Sequence, residues 1–269
     1  MALDSLREAI ARMADTPVLW ISGLFMGALL ALDLLIQAGG NTLFGSRFAF
    51  LGLCALPFFL GGSYGAIKGG DPGLRGYLRA GARYYFRILL AGVVIIAAAL
   101  LTVFLVMIPF AILGGSLQAT MGLSLLGVAI PFSFFTFFFD TAVVLEERKV
   151  LDSIRRSVEF VLANPVKTAV IFVLSLIAGL FILSSYLSDR LQPLLEMNQT
   201  ALQSMTQEQI VDLLAPPVFG TGSAIACIMI IVGGTLLLSF KACFFRRHAS
   251  APSALPQGEF DEKGRWYRY

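Results

Sequence analysis

Six apolar runs, each long enough to cross roughly 30 Å of hydrocarbon, decide what this chain can become. They cover approximately residues 17–38, 48–67, 88–113, 121–145, 166–187 and 217–240. A chain crossing a bilayer finds no water for its backbone groups, so each run must satisfy its own N–H and C=O groups as a helix. The runs do not alternate apolar with polar residues, and a barrel would require that alternation. With 14% charged residues and a mean hydropathy of +0.81, an ordinary soluble domain is excluded. The expectation is an all-α integral membrane protein with six transmembrane helices.

The cations orient it. If the N-terminus lies inside, only Arg47 and Arg190 fall in outer segments, and the other 18 of the 20 Lys and Arg residues lie inside. Such asymmetry predicts both termini on the cytoplasmic side of the cell membrane. The start carries mixed charge and no small-residue cleavage site follows the first apolar run, so no removable signal is expected. The net charge of +3 belongs to the inner face. It points to anionic lipid head groups as partners, and not to nucleic acid.

An internal repeat organises the spans. Leu3-Asp4-Ser5-Leu6-Arg7, followed by Pro17-Val18, recurs as Leu151-Asp152-Ser153-Ile154-Arg155, followed by Pro165-Val166. The segment from Leu74 to Arg87 keeps the pattern of apolar and basic positions with little identity. Each copy is read as an amphipathic inner helix feeding a helical hairpin. The predicted repeats are 1–70, 71–149 and 150–247, all parallel, within a single membrane domain over 1–247. The short outer turns are placed at Gly39-Gly40-Asn41 and Gly114-Gly115-Ser116. An acidic outer insertion spans 188–216, where Thr206 and Gln209 fit a capping box opening a short surface helix. The segment 248–269, rich in Pro, Ser and charge, is expected to be a flexible inner tail.

Arg75, Arg79, Arg83 and Arg87 recur at i+4 and form one stripe, which an isolated helix disfavours by a few tenths of a kcal/mol per pair. Something anionic should offset them. Lipid phosphate is the expected contact for this stripe, with an anionic ligand or an acidic subunit as the alternative, and anionic lipid is expected at Arg155 and Arg156 too. Asp33 and Asp140 lie within apolar runs, where acids are costly and often functional. With Lys68 they are the candidates for an ion path or for structural pairs, and Asp140 is expected to pair with Lys68 or Arg148. Pro57, Pro109 and Pro131 should bend spans two, three and four. Gly61, Gly62 and Gly65, and Gly23 with Gly27, should permit close helix packing. Cys54, Cys227 and Cys243 read as small buried hydrophobes. No catalytic residue, cofactor or metal site is predicted: the one histidine is His248, and no HExxH, GxSxG or Walker pattern occurs.

The stretch Glu146-Glu147-Arg148-Lys149-Val150-Leu151-Asp152-Ser153-Ile154-Arg155-Arg156-Ser157, continuing to Asn164-Pro165, resembles a recurring segment of prokaryotic, often archaeal, six-span membrane proteins of unknown function. Those proteins are similar to the membrane domain attached to some glycerophosphodiester phosphodiesterases. The resemblance implies a compact helical bundle up to Arg247. It carries over no catalytic residue, since no soluble phosphodiesterase domain is present and a single histidine cannot perform that chemistry. The three-hairpin plan is geometrically similar to mitochondrial solute carriers, but their signature is absent after Pro17, Pro109 and Pro165.

Three functions follow in order of fit. The first is a non-enzymatic membrane subunit or scaffold that binds lipid or partner proteins through its basic inner helices. The second is a transporter or permease subunit for a small or amphiphilic solute. The third is a lipid-modifying enzyme, which would need a Ser or Asp cluster at one membrane depth.

Overall fold

A residue that precedes proline is pushed out of the right-handed helical region, and two such positions set the helix boundaries at the start of two spans. In the computed structural model, Thr16 (φ −126°, ψ 85°) separates α1 (Ala2–Asp15) from a 3₁₀ turn, Pro17–Leu19, that leads into α2 (Trp20–Ala38). Asn164 (φ −133°, ψ 51°) separates α7 (Val150–Ala163) from α8 (Pro165–Leu195) in the same way. No proline occurs between residues 73 and 108. There the basic segment and the third span form one helix, α4 (Leu74–Ile112), of 39 residues. At 1.5 Å per residue it is about 58 Å long, so its arginine-bearing first turns must extend beyond a hydrocarbon layer.

The remaining helices are α3 (Thr42–Lys68), α5 (Leu117–Phe135), α6 (Phe139–Leu145), α9 (Thr221–Met229) and α10 (Thr235–Ala249), with a π turn at Ile230–Gly234 joining the last two. The structure describes residues 2–38, 42–69, 71, 73–112, 117–195, 206, 220–249, 258–260 and 266–268. The expected outer turns, the capping-box helix and most of the outer insertion fall outside the described residues. Helix α8 continues through Leu195 and takes in the start of that insertion. In the tail, Gly258–Phe260 and Trp266–Arg268 pair antiparallel, with Phe260 opposite Trp266; the composition had predicted no regular structure there. Six of the helical runs are long and apolar enough to cross a membrane. The chain is a multi-pass helical membrane protein.

Helices α3 and α4 run uninterrupted through Pro57 and Pro109. The fourth span breaks one turn after Pro131, at Thr136–Phe138 between α5 and α6. A break inside a membrane leaves backbone groups that need partners, and α7 supplies one. The Ser157 hydroxyl donates to the Phe135 carbonyl at 2.9 Å and accepts the Phe138 N–H at 3.0 Å. Thr141 Oγ1 donates to the Phe138 carbonyl at 2.7 Å.

Leu3 and Ile10 of α1 and Leu151 of α7 are exposed; an apolar stripe lying in the membrane interface faces lipid in this way. The faces turned inward are Ser5, Ala9 and Met13 in α1, and Ser153, Ser157 and Val161 in α7, all buried. These positions correspond across the 148-residue offset. Small residues let helix axes approach closely, and within lipid that closeness matters more than hydrophobicity. The leucines are left facing outward, where membrane lipid can cover them.

The buried core gathers at the basic end of the bundle. Phe138, Phe160, Phe244 and Phe245 form an aromatic cluster with ring centroids 4.7–6.0 Å apart. Phe138 thus occupies the core, while Phe135 in the same run is exposed. His248 stacks on Phe244 at 4.2 Å, its Nδ1 3.0 Å from the Phe244 carbonyl. Spans three and five, by contrast, show most of their apolar side chains outward, as lipid-facing helices do.

Candidate functional site

Two polar constellations lie one helical turn apart at the basic end. The deeper one centres on Asp140, in the first turn of α6 and only 4% exposed. Lys241 of α10 donates to Asp140 Oδ1 at 2.7 Å and Oδ2 at 2.8 Å. Tyr64 of α3 donates its phenol proton to Oδ2 at 3.0 Å, and the Thr141 N–H donates to Oδ1 at 2.8 Å. Lys241 Nζ also lies 4.7 Å from the centre of the Phe137 ring, within cation–π range. A buried charge is tolerated only when paired and hydrogen-bonded, and Asp140 meets that condition with three donors. Beside Lys241 opens an apolar recess of about 340 Å³, whose lining includes Ser22, Phe137, Ser175, Gly234 and Leu238.

This corrects the expected partner of Asp140. Lys68 sits one turn further along α3 than Tyr64, and it reaches one turn further along α6 as well. Its ammonium donates to the Val144 carbonyl at 3.1 Å and to Glu147 Oε1 at 2.7 Å. Arg148 pairs with Glu146 at 3.1 Å. Lys241 carried a usable signal: it is a lone cation between Phe240 and the apolar run Ala242–Phe245, so folding had to bury it beside an acid.

The shallower constellation centres on Glu147, between α6 and α7. Its Oε1 accepts from Lys68 and, at 3.2 Å, from the Tyr84 hydroxyl; Oε2 accepts from Arg83 at 3.2 Å. Arg83 stands 5.4 Å from the Tyr84 ring centre. These residues line an open pocket of about 400 Å³ together with Gly65, Gly69, Asp71, Gly76, Arg79 and Ala80. Glu147 has φ +56°, in the left-handed region, where among the described residues no other non-glycine residue lies. The hydrogen bond and positive charge of Lys68, then Tyr84 and Arg83, hold the Glu147 carboxyl below its ordinary value of 4.5. A depressed folded-state value means that the Glu147 contribution to stability is full above 4.5 and disappears as pH falls through the folded value. Glu147→Gln should therefore melt below wild type at pH 7, with the gap narrowing below about pH 5. Thermal melts across pH check this, and a gap that widens in acid refutes it.

The predicted arginine stripe lies along the first turns of α4, but the structure divides its roles. Arg83 is taken up by Glu147. Arg79 lines the pocket with no ion pair or hydrogen bond among the described residues, and Arg75 is exposed. Arg87 is half-buried on the same helix. Arg155 is exposed and bonded to Glu159 at 2.9 Å. Arg156 departs from the expected lipid contact: it is mostly buried and donates to both Glu146 oxygens at 3.0 Å and to the Ala249 carbonyl at 3.1 Å. Asp33 is not brought near Asp140. It lines a separate apolar recess of about 260 Å³ between α2, α3 and the π turn. The glycines serve packing: a side chain at Gly62 would meet the Tyr77 ring at 2.6 Å, and one at Gly27 would meet Ile231 at 2.5 Å. The three cysteines are free, and Cys227 and Cys243 are buried.

Glu147 and Tyr64 were not singled out from the sequence. Glu147 looked like one more charge in a charged loop, and Tyr64 like one more aromatic in an apolar helix; only folding brought them to a site. No curated protein matches this chain, and no solved structure does. A family model for a domain of unknown function, DUF7847, matches residues 1–248. The match reaches from α1 to the last turn of α10, and the chain belongs to the DUF7847 family.

Proposed function

We propose that the protein is a non-enzymatic membrane subunit or scaffold that holds anionic lipid at its basic, cytoplasmic face. The observation that carries this reading is the open pocket lined by Lys68, Arg79 and Arg83 at the end of two membrane-spanning helices. Exposed Leu74, Leu78 and Phe86 on the same helix as the arginines can sit among acyl chains while the guanidinium groups meet phosphates. In this reading both termini are inside and the three parallel repeats place their amphipathic helices on one face. The shared breaks at Pro17 and Pro165 and the matching buried positions of α1 and α7 support that plan. The resemblance of residues 146–157 to six-span prokaryotic membrane proteins, similar to the phosphodiesterase membrane domain, suits a module that works beside other proteins.

Each cation near an anionic surface is worth about 1 kcal/mol, or about fivefold in affinity. The double variant Arg79→Gln/Arg83→Gln, in nanodiscs mixing neutral and anionic lipid, should therefore retain several-fold less anionic lipid when released for native mass spectrometry. Unchanged retention overturns the reading. A transport function is the second reading, supported by the buried Asp140–Lys241 pair and the recess beside Lys241; it requires Asp140→Asn to abolish solute flux while the protein still folds.

A further inference from the structure

Glu147 is a carboxylate where a cationic pocket would be expected to hold a ligand's anion. Three donors on two helices converge on its two oxygens: the Lys68 ammonium at 2.7 Å, the Tyr84 phenol at 3.2 Å and the Arg83 guanidinium at 3.2 Å. A fourth, Arg79, lines the same pocket with no partner among the described residues. An ammonium, a guanidinium and a hydroxyl aimed at one point form a donor set for an oxyanion.

The backbone at Glu147 is also out of the ordinary. A φ of +56° is costly for a residue with a side chain, and such positions cluster at ligand clamps and switches. The segment 146–149 belongs to no helix, and Glu147 is 43% exposed at its side chain. The carboxylate can therefore swing out without disturbing a packed helix.

The charges suit a phosphate. Lys68, Arg79 and Arg83 line the pocket with Glu147 and Asp71, three cations against two acids. With Glu147 turned away the excess rises from one positive charge to two. A phosphate monoester, carrying about −1.5 to −2 at neutral pH, matches that excess; a phosphodiester, with one charge, matches it less well. The space of about 400 Å³ admits such a group.

We infer that Glu147 is an internal stand-in for a phosphate monoester, which binds between Lys68, Arg79, Arg83 and Tyr84 when the Glu147 side chain leaves. This rests on the anionic-lipid reading above and narrows it to a dianionic head group. The same chemistry could come from a phosphomonoester lipid or from free phosphate. A ligand that must displace an internal competitor binds more weakly by the fraction of time the site is open. If the closed form is about ten times as populated as the open one, removing the carboxylate tightens binding about tenfold.

The experiment uses the full chain in nanodiscs of neutral lipid, titrated with inorganic phosphate, and in a second arm discs doped with phosphatidic acid or with phosphatidylglycerol. Glu147→Gln, and Glu147→Gly, which also relieves the positive φ, should each bind the monoester more tightly than wild type by about tenfold. Arg79→Gln should bind it less tightly. Tightening toward phosphatidic acid alone assigns the site to a lipid head group, and tightening in both arms assigns it to free phosphate as well. If either folded Glu147 variant binds the monoester no better than wild type, Glu147 is a structural brace and the inference falls. It also falls if phosphatidylglycerol gains as much as phosphatidic acid. The Arg79→Gln/Arg83→Gln retention test is independent, so the wider lipid reading can survive that failure.

Discussion

Lys241→Met is expected to cost about 3–5 kcal/mol of stability, the usual penalty for stripping one partner from a buried ion pair. Methionine fills nearly the same space, so the loss is electrostatic and not a cavity effect. Asp140 would keep Tyr64 and the Thr141 N–H as donors but lose its counter-charge in a site closed to water. Lys68→Met tests the alternative pairing read from the sequence. Its carboxylate partner, Glu147, is far more exposed, and exposed pairs are worth about 0–1 kcal/mol. Thermal melts of both variants in detergent should therefore differ widely. Equal losses would mean that the Asp140–Lys241 pair does not hold the bundle. Replacing both members, Lys241→Met with Asp140→Leu, should recover much of the loss, because a well-packed apolar pair avoids the desolvation of two charges. If the double variant recovers stability but flux through reconstituted vesicles vanishes, the pair serves transport and not packing alone.

Gly23→Ala should destabilise the protein by about 1–3 kcal/mol, although alanine is the better helix former by up to about 1 kcal/mol. A methyl group at Gly23 would run into Thr235 Oγ1 and into the Ile231 carbonyl oxygen. The second obstacle is backbone and cannot rotate away, so α2 and the π turn must part. Nothing lies within 4 Å of the corresponding position at Gly92 or Gly179. Gly92→Ala and Gly179→Ala should then be neutral or mildly stabilising. The three variants share one chemical change and differ only in what faces it. A melting comparison in which all three shift alike would show that the α2 crossing is looser than its geometry indicates.

Gly23 and Gly27 were legible in the sequence as a close-packing pair, because small residues four apart share one helix face. Their partner was not, since Ile231 and Thr235 lie some two hundred residues away. The amphipathic helices show the same limit from another side. Their leucine stripes were visible, but in a membrane an apolar face need not turn toward protein. The buried face proved to be the small one of Ser5 and Ala9, and of Ser153 and Ser157. The break in the fourth span was also hidden. Pro131 marked a weak point, yet the break lies one turn later, where Ser157 of another helix can satisfy it.

What was legible in the sequence is local: six spans of sufficient length and an arginine stripe ahead of the third. The helix ends before Pro17 and Pro165 and the unbroken α4 have equally local causes but emerged with the structure. Each follows from backbone geometry or from residues within a few turns of one another. The tertiary structure alone decided that Asp140 meets Lys241, that Lys68 meets Glu147, and that a strained carboxylate occupies the basic pocket. Those pairings join residues 79 to 101 positions apart. Several inner cations were within plausible reach of each acid, and Coulomb attraction does not select among them. Helix register does: Tyr64 and Lys68 on α3 stand one turn apart against Asp140 and Val144 on α6, so each donor reaches only the acceptor at its own depth.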